Sequence, residues 1–245
     1  MSKLPGDSPY LGIAHVAIET TGRLGSVAVL RGQRIIREVN LDPNCRSATT
    51  LAPALRDTLS WCEQQGESPG FVSIADGPGS FTGLRIGVTT AKTLCYALEL
   101  PLVAVDSLAA IAAAALHTNP ECQRIWSVLD AYRGQVFMGQ FERASLFPDQ
   151  NRIPPDWSAH PKTVQVLQRE DWDAMLREKS QTIAVAGDPK PLGARSGELL
   201  KRNCDAVGVG LLAVRAAVAG QFCDPLALVP RYLRASAAEE KAATL

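Results

Sequence analysis

The first hundred residues alternate short apolar runs with turn residues and two long stretches of helical spacing. Residues 15–20, His-Val-Ala-Ile-Glu-Thr, read as a buried strand, and Thr21-Gly22-Arg23-Leu24-Gly25 as a turn. Residues 26–30 form a second strand, Arg31-Gly32 turns again, and 33–41 alternate well enough for a third, so two hairpins are expected. Residues 47–65 place Leu51, Leu55, Leu59 and Cys62 on one helical face, with Pro53 expected in the first turn. The apolar run 71–75 is a buried strand, broken by Gly77-Pro78-Gly79. Ser80 stands where an N-cap belongs, because its hydroxyl can accept from an orphan backbone N–H of the first turn. The helix it opens runs to Glu99 and stops ahead of Pro101. Residues 102–106 are another short strand, and 107–116 an alanine-rich buried helix.

A second half starts near Arg124. Residues 125–129 and 135–141 read as strands flanking Asp130-Ala131-Tyr132-Arg133-Gly134. Residues 144–161 hold several prolines and read as a loop; 171–179 are a short amphipathic helix, 182–186 a strand running into Gly187-Asp188-Pro189, and 206–220 an apolar helix. The tail from Ala235 reads as solvated and residues 1–10 as frayed. The order β-β-β-α-β-α-β-α fits one half of the actin-like, sugar-kinase-like and Hsp70-like fold. The expected class is therefore α/β, two related lobes with mixed β-sheets flanked by helices. The boundaries expected are 1–108 for the N-terminal lobe, with 222–245 packing back on it, and 109–221 for the C-terminal lobe.

The helix after Ser80 carries two interior glycines, each costing about 1 kcal/mol relative to alanine. Gly83, Gly87 and Ala91 recur every fourth residue, so one face has almost no side-chain bulk and lets another backbone come close. A second stripe, Phe81, Leu84, Val88, Cys95 and Leu98, reads as core. The bare face either packs on a neighbour within the chain or meets a helix of another protein. A phosphate cradle is the rival reading, since strand, glycine turn and helix N-terminus make a good anion site. The Walker pattern fails, however, because Leu84 and Arg85 follow Gly83 where Lys and Ser or Thr would be needed.

Composition narrows the choice. The chain has 245 residues, 46% hydrophobic and 20% charged, enough for a substantial core. Formal net charge is zero, and no basic stripe of the kind an autonomous RNA binder shows is present. The cysteines, at positions 45, 62, 95, 122, 204 and 223, contain no Cys-x-x-Cys, and reduced cytosolic thiols are expected. No apolar stretch reaches the length of a membrane span.

Gly77-Pro78-Gly79-Ser80-Phe81-Thr82-Gly83-Leu84-Arg85-Ile86-Gly87 resembles the signature of the TsaB (YeaZ) family. Members are dimerisation subunits of the machinery that places threonylcarbamoyl on the adenosine beside the tRNA anticodon. The segments 13–30, 130–137 and Pro230-Arg231-Tyr232-Leu233-Arg234 are also similar to that family. The resemblance implies a non-catalytic subunit in the cytoplasm that pairs with a TsaD-like catalytic subunit. It also implies a TsaE-like ATPase bound to the pair, homodimerisation when the chain is alone, contact with tRNA only through the complex, and no membrane association. The interface residues it implies are Ser80, Phe81, Gly83, Leu84, Gly87, Thr90 and Ala91, with Leu51 on the preceding helix. No intrinsic cofactor is implied, while ATP or ADP is possible at the complex interface.

Two enzyme readings stand as alternatives. A metal-dependent glycoprotease-like enzyme would need the His-x-x-x-His pair that TsaD relatives carry; here only His15, His117 and His160 occur, and Ser47 stands where TsaB relatives often keep a His. An actin-like or sugar-kinase-like ATPase would contact phosphate and magnesium through an acidic turn after the first strand. Glu19, Thr20 and Thr21, with Gly77 and Gly79, are the candidates. The same turn is equally a hairpin whose hydroxyls and carboxylate satisfy nearby backbone N–H groups. No Gly-x-Ser-x-Gly elbow occurs. Asp76 and Asp106 read as loop caps, Asp130 as a partner for Arg133 and His117 as a helix C-cap.

Overall fold

The computed structural model describes residues 8–22, 24–45, 47–147, 164–179, 183–188, 199–200 and 203–233. Arg23, Arg46, His160, Pro189, Arg234, most of the 144–161 loop and the tail from Ala235 lie outside them. The first sheet is built from β1 (Ala14–Glu19), β2 (Ser26–Arg31), β3 (Arg34–Asn40), β4 (Val72–Gly77) and β5 (Leu102–Asp106). Its order is β3-β2-β1-β4-β5. The first three strands form an antiparallel meander, and β4 and β5 run parallel to β1.

The second sheet contains β6 (Arg124–Tyr132), β7 (Gln135–Glu142), β8 (Gln165–Gln168), β9 (Ala184–Gly187) and β10 (Leu199–Leu200). Its order, read from the other edge, is β8-β7-β6-β9-β10, with the same sequence of antiparallel and parallel pairings. The expected pair of related α/β lobes is therefore present as one topology used twice. Strand β8 and the single helical turn α4 (Arg143–Leu146) carry too short a period to be read from sequence.

Helices separate the sheets into layers. On the outer face of the first sheet lie α1 (Ser47–Gln64) and α2 (Phe81–Leu98). Between the sheets lie α3 (Ser107–Thr118) and α6 (Ala206–Val218), and α5 (Arg169–Lys179) covers the far face of the second sheet. The two-residue period of the strands distributes their side chains between layers. Val16 and Ile18 of β1 join the core under α1 and α2, whereas Ala17 joins the central core of α3 and α6. In β6, Trp126 and Val128 face α5 and Trp172, while Ile125 and Leu129 face the centre. Pro53 falls in the second turn of α1, not the first as expected, on the exposed side.

Sequence spacing assigned 206–220 to the second lobe, but α6 packs mainly on β1, β2, β4 and β5 of the first sheet. Both central helices are built from small residues, and Gly208 lets α6 approach α3 so closely that a methyl there would overlap the Ala110 carbonyl oxygen. A methyl on Gly208 would also lie 3.2 Å from that of Ala114. Gly208→Ala should therefore destabilise the chain by about 3 kcal/mol despite alanine's better helix propensity. Urea unfolding should show a lowered midpoint with an unchanged slope.

Candidate functional site

The three parallel strands of the first sheet end side by side at Glu19, Gly77 and Asp106. Directly after β1 the chain turns through Thr20 and Thr21 and is clamped against the start of α2. The Thr20 hydroxyl donates to the Gly83 carbonyl oxygen at 2.8 Å, and Ser80 N–H donates to the Thr21 carbonyl at 2.9 Å. A methyl on Gly83 would overlap the Thr20 carbonyl oxygen, one on Gly87 the Thr20 hydroxyl, and one on Gly79 the Thr21 side chain. The glycines are there so that this loop can lie on the helix.

This places the residues singled out from sequence, and corrects one expectation about them. Gly83, Gly87 and Ala91 are buried against their own lobe, so the bare face of α2 is already occupied. Leu84 and Leu51 are buried in the core as well. A fourfold spacing of small residues cannot distinguish an internal neighbour from an external one, and here the neighbour is Thr20. Ser80, Phe81 and Thr90 remain half-buried at the rim. Ser80 is the N-cap expected, accepting from Gly83 N–H at 3.3 Å.

Glu19, Thr20, Thr21 and Gly79 do come together, as a self-satisfied turn. One Glu19 carboxylate oxygen accepts from the Thr21 hydroxyl at 2.6 Å, the Gly22 N–H at 3.0 Å and the Thr21 N–H. The other oxygen is buried without a hydrogen-bond partner. Burial pushes the Glu19 carboxyl up to about 7; the bonds from Thr21 and Gly22 oppose this and Asp205, at the start of α6, adds to it. Gly77 belongs to a neighbouring group. Its φ of 132° and the Arg231 carbonyl packed against it leave no room for a side chain.

Arg231 is the residue of this region that sequence reasoning passed over. From sequence it belongs to the C-terminal segment 230–234, and Asp76 and Asp106 read as caps. Asp106 does cap α3, accepting from Ala109 N–H at 2.8 Å, but it also pairs with the buried Arg231 guanidinium. Asp76 is held near 7, chiefly by burial; Arg231 opposes the shift and Asp106 reinforces it. No local pattern marks this pairing, because its partners lie 125 residues apart. Asp130 accepts from Tyr132 N–H at 2.9 Å. His117 is exposed at the end of α3, and Asn119 supplies the side chain that bonds the Ala115 carbonyl. Among the described residues no group of His, Cys, Asp or Glu is arranged to hold a metal ion. Burial pushes Cys95 up to about 12 and Cys223 to about 11, so neither is a thiolate at neutral pH.

With the glycine face turned inward, the outward face of α2 is Thr82, Arg85, Thr89, Thr93 and Tyr96, at spacings of three and four. Arg85 is its only charge, and Tyr96 is 82% exposed. The C-terminal segment borders this face. Lys92 donates to the carbonyls of Leu226 and Leu228 at 3.1 and 2.9 Å, and Tyr232 stacks on Phe81 with ring centroids 4.7 Å apart.

The chain is 31% identical over 239 residues to the tRNA threonylcarbamoyladenosine biosynthesis protein TsaB of Bacillus subtilis (strain 168), covering 92% of this chain and 96% of that protein. The chain belongs to the TsaB family. The TsaB protein of Escherichia coli (strain K12) is 28% identical over 190 residues, covering 76% of this chain and 78% of that one. A family model described as TsaD, tRNA N6-adenosine threonylcarbamoyltransferase, matches residues 46–151. Among solved structures, YeaZ from Pseudomonas aeruginosa superposes with a TM-score of 0.68 at 23% identity, over 90% of this chain and 100% of that one. That likeness is one of fold. Residues 77–87, the segment that resembles the family in sequence, seat the Thr20 loop on α2. No described helix is long and apolar enough to cross a membrane.

The buried acids set a pH dependence. Glu19 titrates near 4.5 when exposed and about 7 in the fold, so the folded chain keeps a proton that the unfolded chain releases. That stabilisation is complete below pH 4.5 and is lost as pH rises through about 7. His15 has the opposite sign. Buried against Phe71 and Gly210, it is lowered from 6.5 to about 4, chiefly by burial, so its contribution is full above 6.5 and lost as pH falls through about 4. Glu19→Gln carries no such proton. Relative to wild type it should gain at most about 3 kcal/mol of stability between pH 5 and pH 8, read by urea unfolding at both values.

Proposed function

We propose that this chain is a non-catalytic subunit that supports transfer of threonylcarbamoyl to the adenosine beside the tRNA anticodon by pairing with a TsaD-type catalytic subunit. The observation that carries the reading is its 31% identity, over 92% of its length, to a protein named for tRNA threonylcarbamoyladenosine biosynthesis. The geometry supports a pairing role for the outer face of α2, together with the neighbouring exposed positions of α1, Ala48, Thr49, Ala52 and Arg56. A helix face of threonines ending in an exposed tyrosine offers contact area with little charge to desolvate. Phe81, Ser80 and Thr90 form its rim, and the inward glycines hold α2 at the height that presents it.

In this reading the chain brings no nucleophile, base or metal of its own, works in the cytoplasm, and reaches tRNA only inside the complex. A TsaE-type ATPase joins the pair, any ATP or ADP is held at the complex interface, and the same α2 face self-associates when the catalytic subunit is absent. An isologous contact would suit that face, since one patch would serve both copies.

Calorimetric titration with the host's TsaD-type subunit tests the assignment. Thr89→Arg, at the centre of the face, should weaken binding by about a hundredfold, and Tyr96→Ala by about tenfold, with thermal stability unchanged. Undiminished affinity in both variants would refute the interface. Transfer assays omitting each subunit in turn test the role: modification by this chain alone would overturn it.

A further inference from the structure

Large apolar side chains left in water are ordinary when scattered singly, whereas a contiguous set marks a place where another molecule binds. Among the described residues, half of the exposed large hydrophobic side chains lie on two adjoining segments. Tyr96 and Leu98 stand at the end of α2, and Leu226, Val229 and Tyr232 on the strap of residues 222–233 beside it. Leu226 is 77% exposed and Val229 71%.

The strap is held in a way that turns these side chains out. Cys223 N–H donates to the Leu102 carbonyl at 2.9 Å, on the open edge of β5. Asp224 then bends the chain, its carboxylate accepting from Leu226 N–H at 2.8 Å and its carbonyl from Leu228 N–H at 3.0 Å. Lys92 grips the carbonyls of Leu226 and Leu228, and Arg85 donates to the Tyr232 hydroxyl at 3.1 Å while lying over the Phe81 ring. Cys223 and Leu228 pack inward on the core under α2. Polar bonds and these two inward side chains fix the strap, so Leu226 and Val229 are not what holds it.

The resulting ridge runs antiparallel to α2. The Leu226 main chain lies on Lys92 and the Tyr232 ring on Phe81, a span of about 16 Å, or three helical turns. The ridge is almost uncharged. From Phe222 to Pro230 the one charge is Asp224, which bends the strap, and the α2 cations on this side, Arg85 and Lys92, are bonded to the strap itself.

We propose that the strap ridge is the second wall of the partner contact, a helix of the TsaD-type subunit lying between it and the threonine face of α2 with its apolar side over Leu226, Val229 and Tyr232. This rests on the pairing assigned above to the outer face of α2, with which the ridge is continuous. A neighbouring pair of walls about three turns long suits a helix laid along α2. The lack of free charge suits an apolar side, since a charged one would lose water with no counter-charge to meet.

Calorimetric titration of the full-length chain with the host's TsaD-type subunit tests this, with Thr89→Arg measured alongside. Leu226→Asp/Val229→Asp and Leu226→Lys/Val229→Lys should each weaken binding at least about thirtyfold, whereas Leu226→Met/Val229→Ile should bind within about twofold of wild type. Melting temperatures should not change, because both positions are exposed. Loss with one sign of charge only would show attraction at a distance in place of burial, and would overturn the proposal. Wild-type affinity in both charged pairs would overturn it too. If Thr89→Arg still weakens binding in that case, the ridge alone is rejected; if it does not, the α2 assignment falls as well. Weakening by the ridge variants beside an unaffected Thr89→Arg rejects the α2 assignment and, with it, a helix seated between the two walls. Charged pairs that abolish self-association in gel filtration yet bind the TsaD-type subunit normally give the ridge to a second copy of this chain, and the proposal fails.

Discussion

The contact on which the rest of the molecule depends is the seating of Thr20 on α2. A hydroxyl at the end of β1 reaches the Gly83 carbonyl because Gly87, one turn later, has no side chain in its way. Three glycines in nine residues are conformationally costly in and beside a helix, and each is matched by main chain or side chain that lies where a methyl would be. The contact fixes the height and rotation of α2 over the sheet. It thereby decides which residues face inward and which form the threonine and tyrosine face outside.

Much of this was legible in the sequence. Strand and helix positions followed from apolar runs and capping residues. Ser80 and Pro101 bound α2 as their chemistry requires, while Glu99 takes a left-handed C-cap conformation that glycine or asparagine more often supplies. The inward turn of the bare face was not legible. Spacing shows that something approaches Gly83, Gly87 and Ala91 closely; it carries no information about which chain supplies it. The same limit hid Arg231. An arginine in a C-terminal segment looks solvent-bound until the fold shows it buried and paired with a buried carboxylate.

Formal neutrality conceals an uneven distribution of charge. Glu19, Asp76 and Asp106 are withdrawn from water in one region, and burial holds the first two near 7 instead of near 4. Carboxyls with such values in a cleft are often the mark of acid–base chemistry. Here the bonds point the other way. Glu19 satisfies the turn that follows it, and Asp106 caps α3 and holds Arg231.

The duplication of the fold explains why both lobes contribute to this region. Strands β4 and β9, equivalent in the two sheets, each end in a glycine of nearly the same conformation, Gly77 at φ 132° and Gly187 at 136°. The helices after the fifth strands, α3 and α6, are each capped by an aspartate that accepts a backbone N–H at 2.8 Å, Asp106 from Ala109 and Asp205 from Gly208. The sequences around these positions share little else, so the repeat survives in conformation and capping while side chains have diverged. Because α6 lies on the first sheet, its aspartate comes to face Glu19 instead of its own lobe's strand ends. One lobe's cap thus adds a little to the upward shift that burial imposes on the other lobe's glutamate. The two halves are therefore coupled electrostatically as well as by their shared core, and a change at Asp205 should be felt at the turn that seats α2.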